Sequence, residues 1–241
     1  MNFEKKTVLV SGSNRGIGKA LVDALLDKKV HKVYATARQV ESLPAYTDTR
    51  VVPVALDITN PEQVAEVSEL ANDVDILVNN AGVASANGFL DGSLELVRYD
   101  MDTNYYGTLN MLKAFAPVLK ERDISAIVNV VTIGAFANLP ILGGYCASKA
   151  ALFSLSQAMR IELESDNVTV HTVNPGPIDT DMSKGFDGDK QSAAVTADNI
   201  IRSVEAGELD IFPDAASQYM IDVWKNNYQD LEKIMADMNA G

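Results

Sequence analysis

Short apolar runs alternate with helical patterns along the whole chain. Runs rich in aliphatic and β-branched residues predict strands at 7–10, 33–36, 51–56, 75–78, 126–131, 168–173 and 210–212. Between them, apolar positions recur at helical spacing. Strands that alternate with helices in this way predict an α/β fold. We expect a single domain over residues 1–241, built on a doubly wound, mainly parallel sheet with helices on both faces.

Two regions of the second half depart from simple alternation. Residues 181–195 are polar and contain glycine with little periodicity, which predicts a flexible loop that could close over a substrate. A final helix is predicted from about 216 to 238, in a tail that ends at 241. The tail could pack on its own subunit, cover a pocket or join an interface, and the pattern leaves all three open.

A long helix is predicted from about 93 to 120, with Asn104 partway along it. Asparagine is a poor helix former. Its place in the middle of this helix therefore hints at a specific task for Asn104.

Composition narrows the classes of partner. The 241 residues carry 20 basic and 33 acidic side chains, a net charge of −13, which argues against nucleic acid or an anionic membrane as a partner. Cys146 is the only cysteine, so a disulfide within the chain is impossible and a reducing compartment fits. We read Cys146 as structural.

No apolar run approaches the length of a membrane span and the N-terminus lacks a signal-peptide pattern, so the expected location is the cytoplasm.

No metal site is expected. His31 and His171 are far apart in sequence, and neither they nor the acidic residues show metal-ligand spacing.

A glycine-rich turn follows the first predicted strand. It reads Ser11-Gly12-Ser13-Asn14-Arg15-Gly16-Ile17-Gly18 and leads into a helical pattern. Glycine allows positive φ and close approach of a ligand to the backbone, and the free N–H groups of a helix start suit a pyrophosphate. The turn therefore predicts nucleotide binding, although its G-x-x-x-G-x-G spacing differs from the common G-x-G-x-x-G fingerprint.

The second strand leads to Arg38 at the position where NAD-binding units carry an acidic residue. Arg15 lies in the glycine turn, so two guanidinium groups could bind a ribose 2′-phosphate through charge-assisted hydrogen bonds. This favours NADP(H) over NAD(H). The alternative is that both arginines are solvated surface charges.

The carboxyl ends of the next strands also carry candidate polar residues, in the crevice where open α/β sheets bind ligands. Asp57-Ile58 follows the third strand, and Asp57 could accept a hydrogen bond from an adenine amine or simply cap a loop. Asn79-Asn80-Ala81-Gly82 follows the fourth strand, Thr132 the fifth and the rigid loop 174–180 the sixth.

A breaker-rich loop runs into Tyr145-x-x-x-Lys149 at the start of a predicted helix. The i, i+4 spacing puts both side chains on one face of that helix. A lysine ammonium beside a phenol favours the phenolate, so Tyr145 could exchange a proton with a substrate oxygen. Such a pair taken alone is common and is usually two neighbours without a function.

Taken together, these motifs resemble the classical short-chain dehydrogenases/reductases, in the family's order and over essentially the whole chain. The resemblance rests on the glycine turn, on 79–82, Asn104 and Tyr145-x-x-x-Lys149, and on Pro175-Gly176-Pro177-Ile178-x-Thr180. It implies a Rossmann fold and a nicotinamide cofactor.

The resemblance also implies site roles. Tyr145 would be the general acid in reduction and the base in oxidation, Lys149 would lower its pKa and hold the nicotinamide ribose, and Asn104 would organise a water-linked proton relay. The implied cofactor-binding residues are Gly12, Ser13, Asn14, Arg15, Gly16, Ile17, Gly18, Arg38, Asp57, Ile58, Asn80, Ala81, Gly82, Tyr145, Lys149, Pro175, Gly176, Ile178 and Thr180.

Thr132 departs from the family, which usually has serine at this position. Threonine keeps a hydroxyl that can donate to a substrate carbonyl. Its extra methyl group restricts χ1 and takes space in the pocket. We expect catalysis to survive with an altered substrate shape, although the departure leaves room for a weakened activity.

The resulting expectation is an NADPH-dependent reductase of a ketone or aldehyde, reversible as an alcohol dehydrogenase. The alternatives are a 3-oxoacyl-carrier-protein reductase, which a basic docking patch would favour, a sugar-nucleotide epimerase, which the glycine spacing disfavours, and a non-catalytic NADP(H)-binding regulator. By resemblance the chain would form homodimers or homotetramers through the helices around 93–120 and 145–165.

Overall fold

A seven-stranded parallel sheet forms the centre of the computed structural model, which describes residues 1–240. The strands are β1 (Thr7–Val10), β2 (Lys32–Ala37), β3 (Val51–Ala55), β4 (Ile76–Asn79), β5 (Ser125–Val130), β6 (Val168–Val173), β7 (Ile178–Asp179), β8 (Gln191–Ser192) and β9 (Asp210–Ile211). The sheet order is β3-β2-β1-β4-β5-β6-β9, and every neighbouring pair is parallel. The order reverses between β1 and β4, which places a crevice at the carboxyl ends of those strands.

The helices cover both faces of the sheet. They are α1 (Gly16–Asp27), α2 (Pro61–Leu70), α3 (Leu94–Met101), α4 (Thr108–Lys120), α5 (Gly143–Glu162), α6 (Ala193–Ala206), α7 (Ala215–Asn226) and α8 (Tyr228–Ala240). The predicted doubly wound α/β fold is therefore confirmed.

The alternation of side chains along each strand builds two cores. On β1, Val8 and Val10 pack on one face with residues of α1 and α6, while Leu9 packs on the other with residues of α2 and α4. All three are 0% exposed. Because successive side chains of a strand point to opposite faces, a strand buried on both sides reads as a continuous apolar run, as β1 does.

The long helix predicted over 93–120 is interrupted. A π-helical segment, Asp102–Gly107, separates α3 from α4. Asn104 lies inside this segment and is 0% exposed. A β-carbon on Gly107 would lie 2.8 Å from the Ile58 side chain, so the absence of a side chain lets this segment approach the loop after β3.

The segment predicted as a loop over 181–195 contains regular structure. It includes a 3₁₀ turn at Asp181–Ser183 and strand β8, which pairs with β7, and α6 already begins at Ala193. The serine hydroxyl of Ser192 caps α6, which explains the early start.

The C-terminal tail forms two helices where one was predicted. Asn227, with φ −159° and ψ 106°, breaks the helical backbone between α7 and α8. Both helices pack on the segment after β5 in a third apolar cluster, whose buried members are Ile133, Ala137, Met220, Ile221, Leu231 and Met235. The tail therefore packs on its own chain. None of the helices over residues 1–240 has the length and hydropathy needed to cross a membrane.

Candidate active site

The glycine turn lies at the carboxyl end of β1, against the segment after β4. Gly12 and Gly16 have φ of +65° and +55°. A β-carbon on Gly12 would lie 2.7 Å from the α-carbon of Ala81. One on Gly18 would collide with the carbonyl of Gly12 and the side chain of Asn80. The turn depends on glycine for its backbone conformation, as the sequence predicted, and it also packs closely against the segment after β4.

Asn80 holds the glycine turn in shape. Its Nδ2 donates to the carbonyl oxygens of Ser11 at 3.0 Å and Gly12 at 2.9 Å. The Ser11 hydroxyl accepts in return from the backbone N–H of Asn80 at 3.0 Å and of Ala81 at 3.1 Å. The sequence predicted that Asn80 binds the cofactor. In the structure its side-chain amide instead forms hydrogen bonds within the protein. The role of Ser11 was not predicted.

Ser13 fixes the other side of the turn. Its backbone N–H and its hydroxyl both donate to the carbonyl oxygen of Thr36, at 2.9 and 3.2 Å. Asn14 and Ile17 complete the turn, and Arg15 precedes the first residue of α1.

Both candidate arginines lie on the surface at this end of the sheet. Arg38 follows β2 directly and is exposed. Arg15 has a side chain that is 71% exposed and an Nη1 that lies 3.3 Å from the carboxylate of Asp181. Arg15 therefore joins the glycine turn to the loop after β7, a contact that the sequence did not predict.

Asp57 serves its own loop. Its Oδ1 accepts from the backbone N–H of Thr59 at 2.9 Å and from the Thr59 hydroxyl at 2.7 Å. Ile58 is buried, and its carbonyl oxygen accepts from Asn110 at 3.1 Å. Asp57 therefore caps its own loop, which was the alternative to a contact with adenine. Its second carboxylate oxygen is left for a ligand.

Asn104 links three parts of the site. Its side chain accepts from the N–H of Val83 and donates to the Val83 carbonyl, both at 2.9 Å. The same Nδ2 donates to the Ser148 hydroxyl at 2.9 Å, and Ser148 donates to the carbonyl oxygen of Tyr145 at 2.7 Å. The π-helical segment, the loop after β4 and α5 are thereby held together. Ser148 was not predicted.

Lys149 is buried beneath the Tyr145 ring. It is 3% exposed, its Nζ donates to the carbonyl oxygen of Val130 at 2.8 Å, and the Nζ lies 5.9 Å from the ring centroid. A β-carbon on Gly82 would lie 3.3 Å from this Nζ. Burial lowers the pKa of Lys149 to about 8. The ammonium is therefore less stable here than in water.

The pKa of Tyr145 differs from the expectation. Burial raises it above its ordinary value, and the Cys146 thiol and the Asp100 carboxyl also raise it. A hydrogen bond with the Thr132 side chain acts in the opposite direction. The predicted lowering by Lys149 is wrong for the protein by itself, because desolvation of the phenolate is the largest effect.

Thr132 faces the same place from the carboxyl end of β5. Its Oγ1 donates to the carbonyl of Pro175 at 3.3 Å and accepts from the N–H of Gly134 at 3.2 Å. It also caps the short 3₁₀ turn Ile133–Ala135. Thr132 and Tyr145 thus lie together although thirteen positions separate them in the sequence.

The loop after β6 closes the last side of the site. The Gly176 N–H donates to Asp214 at 2.9 Å, and a β-carbon on Gly176 would lie 2.8 Å from that carboxylate. Ile178 is buried at the start of β7. The Thr180 methyl would lie 3.3 Å from a β-carbon on Gly16. The structure therefore brings Thr180 next to the glycine turn, and adds Asp214 as an unpredicted support of the loop.

The family model described as short chain dehydrogenase matches residues 6–191. The chain belongs to this family. The resemblance drawn from the motifs is therefore confirmed, and the protein is an oxidoreductase of the short-chain dehydrogenase type.

Two curated relatives of this short-chain dehydrogenase are reductases of different substrates. A 3-oxoacyl-acyl-carrier-protein reductase of Vibrio cholerae is 33% identical over 202 residues, which cover 81% of this chain and 82% of the relative. A 3-ketodihydrosphingosine reductase of Bacteroides thetaiotaomicron is 29% identical over 213 residues, 84% of this chain and 76% of the relative.

A solved structure covers almost the whole chain. The short-chain dehydrogenase of Burkholderia cenocepacia in complex with NADP is 38% identical, with a TM-score of 0.93, over 98% of this chain and 99% of its own. The likeness includes the tail, which lies beyond the residues that the family model matches.

Across residues 1–240, no group of three or more histidine, cysteine or acidic side chains is placed to hold a metal ion.

Proposed function

We propose that this short-chain dehydrogenase reduces a ketone or aldehyde with NADPH and runs in reverse as an alcohol dehydrogenase. The observation that carries the proposal is the placement of Thr132 and the Tyr145 phenol beside a buried Lys149 at the carboxyl end of β5. Two hydroxyls that converge in this way can hold one carbonyl oxygen.

In this proposal, Tyr145 delivers the proton to the carbonyl oxygen in reduction and removes it in oxidation. Thr132 donates a hydrogen bond to the same oxygen. The nicotinamide cofactor supplies or accepts the hydride when bound. Since burial raises the pKa of Tyr145, the phenol is protonated at neutral pH, which suits a general acid in the reducing direction.

Lys149 and Asn104 support this proton transfer. Nζ of Lys149 is held by the Val130 carbonyl, and a pKa of about 8 lets the amine exchange a proton near neutral pH. Asn104 fixes the π-helical segment against α5 through Ser148. We propose that Asn104 and Lys149 conduct the proton between Tyr145 and water.

The residues at the glycine turn fit a dinucleotide. The backbone at Gly12 and Gly18 is packed so closely against the chain's own atoms that a β-carbon would collide with them, which fixes the shape of the turn. The N-terminus of α1 follows directly and suits a pyrophosphate. We propose that the remaining predicted residues line the same groove.

We propose NADP(H) as the preferred cofactor. Arg15 and Arg38 are cationic, are exposed at this end of the sheet and could pair with a 2′-phosphate. NADP is the cofactor in the solved structure of the similar Burkholderia cenocepacia protein.

The direct test is the loss of NADPH absorbance with a panel of ketones, aldehydes and diketones, repeated with NADH. Tyr145→Phe is the control variant, because it keeps the ring and removes the proton donor. We expect turnover with NADPH that falls by about 100-fold or more in this variant, while binding of NADPH is retained. Equal turnover by both proteins would refute the role of Tyr145.

A 3-oxoacyl-carrier-protein reductase is the second candidate, favoured by the likeness to the Vibrio cholerae relative. The net charge of −13 disfavours the docking of an acidic carrier. Adding a 3-oxoacyl thioester to the panel, free and attached to a carrier protein, separates the two. Strong preference for the carrier-bound thioester would replace the first candidate with this one.

We also propose that the protein assembles as a homodimer or homotetramer. Exposed apolar side chains on α3 and the π-helical segment support this, and they are Leu94, Leu96, Tyr99 and Tyr106. Large exposed apolar surface commonly marks an interface. Analytical ultracentrifugation gives the mass in solution, and a monomer at micromolar concentration would refute the proposal.

A further inference from the structure

Asp100 is an acid in the interior of the protein with one oxygen left unpaired. It is 0% exposed on α3. Its Oδ1 accepts from the N–H of Ser85 at 3.1 Å and from the Ser85 hydroxyl at 3.0 Å. Its Oδ2 is buried and has no hydrogen-bond partner among the residues described. Such a group is costly to bury, so its presence calls for a specific role.

The unpaired oxygen faces the first turn of α5. A β-carbon on Gly144 would lie 3.1 Å from Asp100 Oδ2 and 3.1 Å from the α-carbon of Val97. Glycine at this position therefore lets α3 approach α5 closely. Tyr145 is the next residue along α5, so the Asp100 carboxylate lies beside the backbone that carries the proposed proton donor.

The Ser85 hydrogen bonds connect Asp100 to the other side of the pocket. Ser85 follows Val83, whose N–H and carbonyl are held by Asn104. Two side chains from one helical region, Asn104 and Asp100, thus fix the loop after β4 at positions 83 and 85. Asn104 also reaches the carbonyl oxygen of Tyr145 through Ser148, so the loop after β4 is coupled to the first turn of α5.

We infer that Asp100 is a positioning residue for the proposed reaction. It fixes the loop after β4 through Ser85 and places a negative charge against the first turn of α5 at Gly144, the residue before Tyr145. The inference rests on the proposed role of Tyr145. None of the sequence motifs includes Asp100.

The charged surroundings decide the sign of the effect. The titratable groups of α5 that sense Asp100 are Tyr145 and Cys146, and the carboxylate raises the pKa of both. Ser85, from the loop after β4, lowers the pKa of Asp100 by hydrogen bonding, whereas burial raises it more strongly. No lysine or arginine within the described part of the chain contributes to that shift. At the alkaline pH where a phenol ionises, the carboxyl is charged and opposes the phenolate.

The test compares the pH dependence of alcohol oxidation in wild type, Asp100→Asn and Ser85→Ala. Oxidation needs the phenolate, so its rate rises with pH through the pKa of Tyr145. Asp100→Asn keeps the acceptor for Ser85 and removes the charge, so we expect the rise to move to lower pH by on the order of one unit. Ser85→Ala keeps the charge, so we expect a higher KM without this displacement. An unchanged profile in Asp100→Asn, or the same displacement in Ser85→Ala, would overturn the inference.

A second measurement does not depend on turnover. Cys146 is the only cysteine, so a single carbon-13 label at its β-carbon reports its titration by NMR without assignment. We expect the Cys146 thiol to ionise at lower pH in Asp100→Asn than in wild type, by about half a unit. An unmoved titration refutes the charge effect, and this result does not depend on a substrate. Failure to find any carbonyl substrate would instead refute the proposed function. Should the asparagine variant fail to fold, Asp100→Ser removes the same charge and takes its place.

Discussion

The Nζ of Lys149 lies 5.9 Å from the centre of the Tyr145 ring, one helical turn along α5. Within the described residues, no carboxylate forms an ion pair with this amine, and its hydrogen bond is to the Val130 carbonyl. The buried amine and the partly buried phenol are both shifted toward their neutral forms, the pKa of Lys149 downward and that of Tyr145 upward. This arrangement favours function over stability.

Lys149→Met is expected to stabilise the protein in the absence of cofactor and to abolish turnover. The pKa of Lys149 falls from 10.5 in the unfolded chain to about 8 in the folded protein. Between these values the unfolded state binds more protons, so the stability of wild type rises with pH across that window. Below about pH 8 the full free-energy cost of burying the ammonium is present. The free energy of unfolding of the methionine variant should therefore be higher by about 2 kcal/mol, after allowance for one lost hydrogen bond.

Denaturant unfolding of both proteins at neutral pH and near pH 10 checks this. The advantage of the methionine variant should shrink at the higher pH. An advantage that is independent of pH would mean that the amine is not destabilised by burial.

Thr132→Ala and Thr132→Ser separate the hydroxyl from the methyl group. Loss of the hydroxyl removes one donor to the substrate oxygen, so we expect kcat to fall by about 100-fold in the alanine variant. It also removes the hydrogen bond that lowers the pKa of Tyr145, so the oxidation profile should move to higher pH. Serine keeps the hydroxyl, and we expect kcat within a few-fold of wild type with a change confined to KM. Steady-state kinetics across pH gives both quantities, and a serine variant as impaired as alanine would contradict the role of the hydroxyl.

Gly12→Ala is expected to weaken NADP(H) binding and the fold together. Alanine at φ +65° is strained, and its β-carbon would lie 2.7 Å from the Ala81 backbone. We expect a loss of about 1–3 kcal/mol of stability and at least tenfold weaker binding. Gly185→Ala is the matched control, because a β-carbon there has no neighbour within 4 Å. Fluorescence titration and thermal melts of the two variants should differ clearly, and similar behaviour would refute the packing argument.

Arg38→Ala is expected to reduce affinity for NADPH and to leave NADH unaffected. A charge-assisted hydrogen bond to a 2′-phosphate is worth about 1.5–3 kcal/mol, which corresponds to roughly 10- to 100-fold in Kd. Calorimetric titration with both cofactors measures the ratio. Lys184→Ala is the control, since Lys184 is also exposed near this end but pairs with Asp181. Equal weakening of NADPH binding and NADH binding would show that Arg38 does not contact the 2′-phosphate.

The sequence was sufficient for the fold class and for most of the site. Strand Thr7–Val10 is buried along its whole length, so it is a local apolar run with the bounds that were predicted. The carboxyl ends of parallel strands meet at one edge of the sheet. The sequence alone therefore predicts that residues following different strands, such as Gly12, Asn80 and Thr132, lie at that same edge. The family follows from the same motifs.

Tertiary structure decided what depends on contacts between distant segments. The direction of the Tyr145 pKa follows from burial, which i, i+4 spacing does not reveal. The π-helical segment around Asn104 and the break at Asn227 were not predicted, because the helical pattern of apolar positions continues through both places. Asn80 turns toward Ser11 and Asp100 toward Ser85 because the sheet brings those segments within hydrogen-bond reach. Local sequence patterns show which residue types are present. Only the folded chain determines which hydrogen-bond partner each polar side chain meets.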